Sequence, residues 1–275
     1  MNTDPHPTAA DARPLLRGRE QLADLLEERA QRLAAVVEAA GRRRVAVGLS
    51  GGIDSAVALG LAVKAMGPEA IVAVRMPSRH TEQVHLDDAA AVAEACRLPA
   101  ENMLTISIEP LLDGLQQVRG VDPETAPLRF GNASARCRMI VLYDVAQDHH
   151  ALVVGTENRS EFLLGYYTRF GDAASDLEPI SDLFKTEVRL AADILGLPEA
   201  VISKHPTAGL WGGQTDEDEL GFTYADADRA MAAMIDRRLS PAGAAELTGI
   251  DLEVVEKVRA RMETVAWKAT VPHIL

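Results

Sequence analysis

The chain has 275 residues, with 28 lysines and arginines against 41 aspartates and glutamates, a formal charge of −13. Its length and 47% hydrophobic content support one large α/β domain, or a domain with a small appendage. So acidic a surface is a poor footprint for nucleic acid, so any anionic substrate must be met by locally grouped arginines and lysines. No apolar run reaches membrane-spanning length and the N-terminus lacks an apolar signal segment, which points to the cytoplasm and away from a membrane. The two cysteines, Cys96 and Cys137, lie far apart with no Cys-x-x-Cys spacing and read as small core residues in a reducing compartment.

Residues 1–18 carry three prolines and little apolar content, which predicts a flexible tail. From Arg19 to Ala40, apolar residues recur at Leu22, Leu25, Leu26, Leu33, Val36 and Val37, the spacing of an amphipathic helix ending near Gly41. Val45-Ala46-Val47 then runs into Gly48-Leu49-Ser50-Gly51-Gly52-Ile53-Asp54-Ser55 and an Ala- and Leu-rich segment to Met66. This reads as strand, tight turn and helix. Ala70 to Pro77 is a second buried strand that must stop at the proline, Asp87 to Cys96 a helix, and Asn102 to Ile108 a third strand. A helix from about Ser134 to Gln147 precedes a fourth strand, Ala151 to Thr156. After about Pro198 the chain is helical and polar, with helices near Tyr224–Arg237, Pro241–Leu247 and Leu252–Val265.

Strands alternating with helices predict a doubly wound parallel sheet with helices on both faces and a helical C-terminal part. Ligands bind such sheets beyond the carboxyl ends of the strands. Ser50 to Ser55, Arg75 and Thr156 all fall at strand ends, on one rim if the strands are parallel.

The Gly48–Ser55 loop is the stretch the chain is organised around. Glycines allow a sharp turn and a close approach to a ligand, Ser50 and Ser55 add hydroxyl donors, and the new helix offers unpaired N–H groups. Together these suit a phosphate or pyrophosphate. The loop is neither Gly-x-x-x-x-Gly-Lys-Ser/Thr nor Gly-x-Gly-x-x-Gly. It places an acid, Asp54, inside the cradle, where a carboxylate repels phosphate unless a cation intervenes, so Asp54 suggests a Mg²⁺ ligand. The alternative is that Asp54 only caps the helix.

The Ser-Gly-Gly-x-Asp-Ser pattern resembles the pyrophosphate loop of ATP pyrophosphatases. Four further stretches follow: Phe130 to Met139; Gly155-Thr156-Glu157-Asn158-Arg159-Ser160-Glu161 on to Asp176; Pro179-Ile180 through Lys185-Thr186; and Pro206 through Glu217. With the loop, these resemble the NAD synthetases over about Arg19 to Lys268. That resemblance implies a single ATP-pyrophosphatase-type domain over residues 19–275. It implies a ligase that amidates nicotinate adenine dinucleotide (deamido-NAD) with ATP and ammonia through an adenylate, releasing AMP and PPi.

By the same resemblance, Gly48, Leu49, Ser50, Gly51, Gly52, Ile53, Asp54, Ser55, Arg75, Thr156, Lys185 and Thr207 would bind ATP. Asp54 and Glu161 would hold Mg²⁺, and Asn132, Arg136, Arg169, Asp176 and Lys268 would bind deamido-NAD. Asp54, Asp172 and Lys185 would carry catalysis, Asp172 beside the incoming ammonia. A homodimer is implied as well, with the segments around Ser134–Gln147 and Leu152–Asp176 as candidate surfaces.

Duller readings accompany these. Glu161 could be a solvated helix charge, Asp172 a turn former and Lys185 an exposed helix-start lysine. Tyr166 and Tyr167 could stack on a base or only pack. Arg136 and Arg138, two apart on a helix, cannot share a face, so one of them should reach the substrate. Trp211 and Gln214 could belong to a lid or a dimer contact.

Three departures stand out. Arg169 replaces a common lysine, Trp267-Lys268-Ala269 replaces His-Lys-Arg, and Ser78 to Glu82 is closer to synthetases fed by glutaminases. A fused glutaminase would need roughly another couple of hundred residues, so the expectation is free ammonia or ammonia from a separate glutaminase. The rival readings are another ATP pyrophosphatase, or a dinucleotide-binding sensor that has lost catalysis.

Overall fold

A computed structural model describes residues 14–205 and 216–271. Helix α1 (Arg19–Ala39) leads into β1 (Arg44–Gly48), α2 (Ile53–Met66), β2 (Ile71–Arg75), α3 (Gln83–Ala95), β3 (Met103–Thr105), α4 (Glu109–Arg119), α5 (Pro127–Asp148) and β4 (Ala151–Val154). Then come α6 (Arg159–Leu164), α7 (Lys185–Ile194), α8 (Glu199–Ile202), α9 (Asp216–Leu220), α10 (Tyr224–Met231), α11 (Pro241–Thr248) and α12 (Leu252–Val265). A π turn, Ala232–Asp236, extends α10, and a short 3₁₀ turn, Ala266–Ala269, follows α12.

The four strands form one parallel sheet in the order β3-β2-β1-β4. Register pairs Val45 with Ile71 on one side of β1 and Arg44 with Ala151 on the other. Successive side chains of a strand point to opposite faces, and both faces are covered. Val45, Val47, Ile71 and Ala73 pack with α1, α2, α3 and α7. Ala46, Val72, Val74 and Val153 pack against α5 through Leu142, Val145 and Ala146. The chain thus winds outward from β1 over one face and returns to β4 over the other, the doubly wound arrangement read from the sequence. The switch between windings falls at the carboxyl ends of β1 and β4, the place where such sheets bind ligands. Among the described residues no helix is long and apolar enough to cross a membrane.

Helix α1 buries Leu22, Leu26, Ala30, Leu33 and Val37, a stripe at helical spacing. Val36, expected on that stripe, is exposed, because the turn drifts it past the face that α2 and α7 cover. Of the predicted tail, residues 1–13 lie outside the described residues. Arg17 donates to Glu187 through its backbone N–H (2.8 Å) and side chain (2.9 Å), and reaches Asp182 at 3.2 Å.

Several boundaries differ from the sequence reading. The third strand ends at Thr105, although Ile106 and Ile108 still donate to Arg75 and Pro77 carbonyls. Helix α5 starts at Pro127, seven residues before Ser134, with the proline in its first turn, where a missing N–H costs no bond. The sequence reading gives no range for α4, and it anticipates α6 and α7 only through Glu161 as a helix residue and Lys185 as a helix start.

The C-terminal helices form their own core. Leu164 and Phe184 pack with Phe222, Tyr224, Met231 and Val258, while Ala230, Ala244, Ile250 and Val255 join α10, α11 and α12. The outward edge of β4 is closed by Asp176, whose Oδ2 accepts from the Val153 N–H at 2.8 Å, and by Leu177, which bridges to Val154.

Gly51 adopts φ +80°, and a Cβ there would lie 2.1 Å from the His85 carbonyl oxygen of α3. Both conditions require glycine. A Gly51→Ala change is therefore expected to cost about 2–3 kcal/mol, read by urea unfolding, because backbone rather than a flexible side chain must move.

Candidate active site

The loop after β1 is held by its own serines. Ser50 Oγ lies 3.1 Å from Ser55 Oγ and accepts from the Gly52 N–H at 3.2 Å, while Ser55 Oγ donates to the Gly52 carbonyl at 2.9 Å. Leu49 donates to the Val74 carbonyl at 2.9 Å, continuing the β1–β2 ladder beyond Gly48. Gly52 is the N-cap of α2, so Ile53, Asp54 and Ser55 make up its first turn. Asp54 is therefore not the cap. Its carboxylate points away from the helix backbone into a charge cluster.

That cluster is built from three separate segments. Lys185 Nζ donates to Asp54 Oδ2 at 2.7 Å and to Glu161 Oε1 at 2.8 Å. Asn158, fully buried, donates from Nδ2 to Asp54 Oδ1 at 2.7 Å, and its Oδ1 accepts from the Glu161 N–H at 3.0 Å as the N-cap of α6. Lys185 is the first residue of α7 and is 2% exposed, so the exposed-lysine reading is overturned. Its ammonium also lies over the Tyr224 ring, 5.3 Å from the centroid. Glu161 is not a solvated helix charge either, because it sits half-buried inside the cluster.

Burial alone lowers the proton affinity of Lys185, but the charges of Asp54 and Glu161 outweigh it and hold the ammonium above the ordinary lysine range. Burial and the neighbouring Asp54 raise the proton affinity of Glu161, against the pull of Lys185. Two carboxylates against one ammonium leave the cluster with one negative charge in excess. Among the described residues, no group of three or more His, Cys, Asp or Glu side chains could hold a metal by itself.

Arg75 and Thr156 stand on either side of this cluster, at the ends of the strands that flank β1. Arg75 Nε donates to Thr105 Oγ1 at 3.1 Å. Thr207, Trp211 and Gln214 lie outside the described residues.

The residues assigned to deamido-NAD gather around the 165–176 loop. Asn132 Oδ1 accepts from Thr168 Oγ1 at 2.8 Å, and Arg136 Nε donates to the Arg169 carbonyl at 3.2 Å. The Arg169 guanidinium lies over the Phe170 and Trp267 rings, at 5.2 and 5.1 Å from the centroids. Lys268 donates to the Gly165 and Tyr167 carbonyls, each at 2.6 Å, and lies over the Tyr167 ring, which stacks on Phe162. Asp172 Oδ1 accepts from the Thr168 N–H at 2.9 Å. Asp176 is occupied at the edge of β4.

Sequence reasoning missed Asn158, Glu157 and Glu178, and of the two arginines on α5 it assigned Arg136 rather than Arg138. Arg138, not Arg136, turns toward the strand ends. Its Nε donates to the Met76 carbonyl at 3.1 Å, and burial lowers its proton affinity while Asp172 raises it. The two-residue offset of the arginines was the available signal. Glu178 enters over Gly155, where a Cβ would lie 2.0 Å from Glu178 Oε1, and it accepts from Ser175 Oγ at 2.6 Å. Glu157 Oε1 and Glu178 Oε2 are buried without hydrogen-bond partners. Burial, then the charge of Glu178, pushes the Glu157 carboxyl up to about 8, and burial pushes Glu178 up to about 7.

The NAD synthase family matches residues 25–272. The chain belongs to that family. It is 41% identical over 240 residues to the NH(3)-dependent NAD(+) synthetase of Thermococcus kodakarensis, covering 87% of this chain and 92% of the relative. Among solved structures it is similar to the NMN synthetase of Francisella tularensis, with TM-score 0.77, 32% identity and coverage of 94% of this chain and 99% of the other. It is also similar to the NH3-dependent NAD synthetase of Campylobacter jejuni solved with nitrate, with TM-score 0.75, 29% identity and coverage of 94% and 100%. The loop, the 155–176 stretch and Lys185 all fall within the span matched to the NAD synthase family.

The raised carboxyls predict a pH dependence. Folded Glu157 and Glu178 keep protons that the unfolded chain has released above about pH 4.5, so stability falls as pH rises from about 5 to 8. Glu178→Gln is expected to leave stability near pH 5 unchanged and to raise it at pH 8 by roughly 3 kcal/mol. Urea unfolding at the two pH values checks this.

Proposed function

We propose that this chain is an ammonia-dependent NAD synthetase. It adenylates the nicotinate carboxylate of deamido-NAD with ATP, then replaces AMP with ammonia. The observation that carries the reading is Lys185, buried between Asp54 and Glu161 directly beside the phosphate loop. A carboxylate does not react with ammonia until one oxygen becomes a leaving group. Its oxygen attacks the α-phosphate, PPi departs, and ammonia attacks the mixed anhydride to give the amide and AMP.

The barrier to the first step is charge on the phosphates. The first turn of α2 offers N–H groups, and Lys185 offers an ammonium already desolvated and aimed, which needs little rearrangement as PPi leaves. Arg75, Thr156 and Thr207 complete the ATP contacts. Asp54 and Glu161 fit a magnesium ion, because their carboxylates meet from separate segments, carry uncompensated negative charge and leave the remaining positions to phosphates and water. Such an ion would neutralise charge on the polyphosphate.

Asn132, Arg136, Arg169, Asp176 and Lys268 face the deamido-NAD side in this reading, and Asp172 takes the proton of the incoming ammonium. Leu128, Ile140, Phe162, Phe170 and Trp267 expose apolar surface on α5, α6 and the loops beside them, which supports a homodimer. We place the enzyme in the cytoplasm, with residues 19–275 as one ATP-pyrophosphatase-type domain. Its nitrogen is free ammonia, or ammonia handed over by a separate glutaminase.

A second acceptor is favoured by one observation. The likeness to an NMN synthetase, together with Trp267 and Ala269 where polar groups are common, suits the same chemistry on nicotinate mononucleotide.

The test supplies ATP–Mg²⁺ with ammonium or glutamine, and either acceptor, and follows amide and PPi. The reading expects NAD from deamido-NAD with ammonium alone. Faster amidation of the mononucleotide would move the assignment to that acceptor. Neither amide nor PPi from folded protein would overturn it. Asp54→Asn and Lys185→Met are each expected to lower kcat/KM by about 10²-fold or more.

A further inference from the structure

Lys185 can act only if the start of α7 is held in place, and that hold comes from the C-terminal helices. Asp228, on α10, is fully buried. Its Oδ1 accepts from Ser160 Oγ at 2.5 Å, and its Oδ2 accepts from both the N–H and the Oγ1 of Thr186, each at 2.8 Å. Ser160 Oγ in turn accepts from the Lys185 N–H at 2.8 Å. The proton positions in this chain are fixed. The Lys185 N–H can only donate and the carboxylate only accepts, so the serine hydroxyl donates its hydrogen bond to Asp228.

The carboxylate therefore ties together the first turns of two helices. Ser160 immediately precedes Glu161 in α6, and Thr186 immediately follows Lys185 in α7. An anion at the α7 N-terminus is also favoured by the helix dipole. Tyr224, four residues earlier on α10, lies on the same helix face and presents its ring to the Lys185 ammonium. One face of α10 thus meets the Lys185 side chain through Tyr224 and reaches its backbone N–H through Ser160. Among the described residues, Asp228 bonds to Ser160 and Thr186 and not to Asp54 or Glu161.

We propose that Asp228 is a positioning residue for the reaction. Acting through Ser160 and Thr186, it fixes Lys185 and Glu161 in the arrangement that meets the phosphates. This rests on the synthetase reading given above. An amide replaces the carboxylate only at a cost, because one of its two terminal atoms is a donor and a buried donor opposite it, the Ser160 hydroxyl or the Thr186 N–H, then loses its acceptor. Asp228→Asn keeps the shape, yet sets an N–H₂ against a hydroxyl or a backbone N–H that must itself donate.

The test uses full-length Asp228→Asn and Ser160→Ala, the second removing a single oxygen in case the first does not fold. Steady-state kinetics are read per folded molecule, with PPi release in a single turnover before ammonium is added. Lys185 acylation by acetic anhydride is followed in parallel by peptide mass spectrometry. The proposal expects kcat and the PPi rate to fall together by about tenfold or more, with KM for deamido-NAD within about twofold of wild type. It also expects Lys185, protected in the wild type, to acylate at least several-fold faster.

A residue that only supports stability would lower the folded fraction and leave kcat per folded molecule and Lys185 protection unchanged. That result overturns the proposal. Should the wild type itself release neither NAD nor PPi, the synthetase reading fails, and the acylation comparison alone still decides whether Asp228 holds Lys185.

Discussion

An ammonium buried between two carboxylates is the constraint on which the rest of this structure depends. Removing Lys185, Asp54 and Glu161 from water carries a desolvation cost of several kcal/mol per ion, offset only by close, well-aligned partners. Here the partners are supplied on both sides. Lys185 reaches both carboxylates below 3 Å, and Asn158 takes the other oxygen of Asp54. Such a cluster is a poor source of stability and a good source of specific charge placement, the quality that phosphoryl chemistry demands.

The fold can be read as the means of bringing those groups together. Asp54 arrives after β1, Glu161 after β4, and Lys185 at the start of a helix that packs on α1 and α2. Adjacent parallel strands set the first two loops side by side, at the switch between windings. The C-terminal helices supply the remaining wall. Arg159 pairs with Asp236 and covers the Phe184 ring, and Tyr224 closes the space under the ammonium.

Much of this was legible in the sequence. The glycine-rich loop between an apolar strand and an Ala-rich helix could scarcely be anything else, and the alternation of strands and helices gave the doubly wound sheet. What could not be read were partners distant along the chain. Lys185 has the sequence setting of an exposed lysine, and only the arrival of α10 and α6 buries it. The 185–194 segment carries helical spacing through Val188, Ala191 and Ala192, which agrees with Lys185 as a helix start but says nothing of what covers it. Asp176 matched a substrate-binding pattern, yet its carboxylate satisfies a β4 edge N–H that no linear reading anticipates. Glu178 is intelligible only beside Gly155, which makes room for it.

The most direct test is a crystal structure with a non-hydrolysable ATP analogue and Mg²⁺. The account predicts polyphosphate oxygens at the Gly48–Ser55 loop, within hydrogen-bonding distance of Lys185 Nζ, and a cation shared by Asp54 and Glu161. Polyphosphate bound elsewhere, with Lys185 still closed between both carboxylates and no cation there, would contradict it.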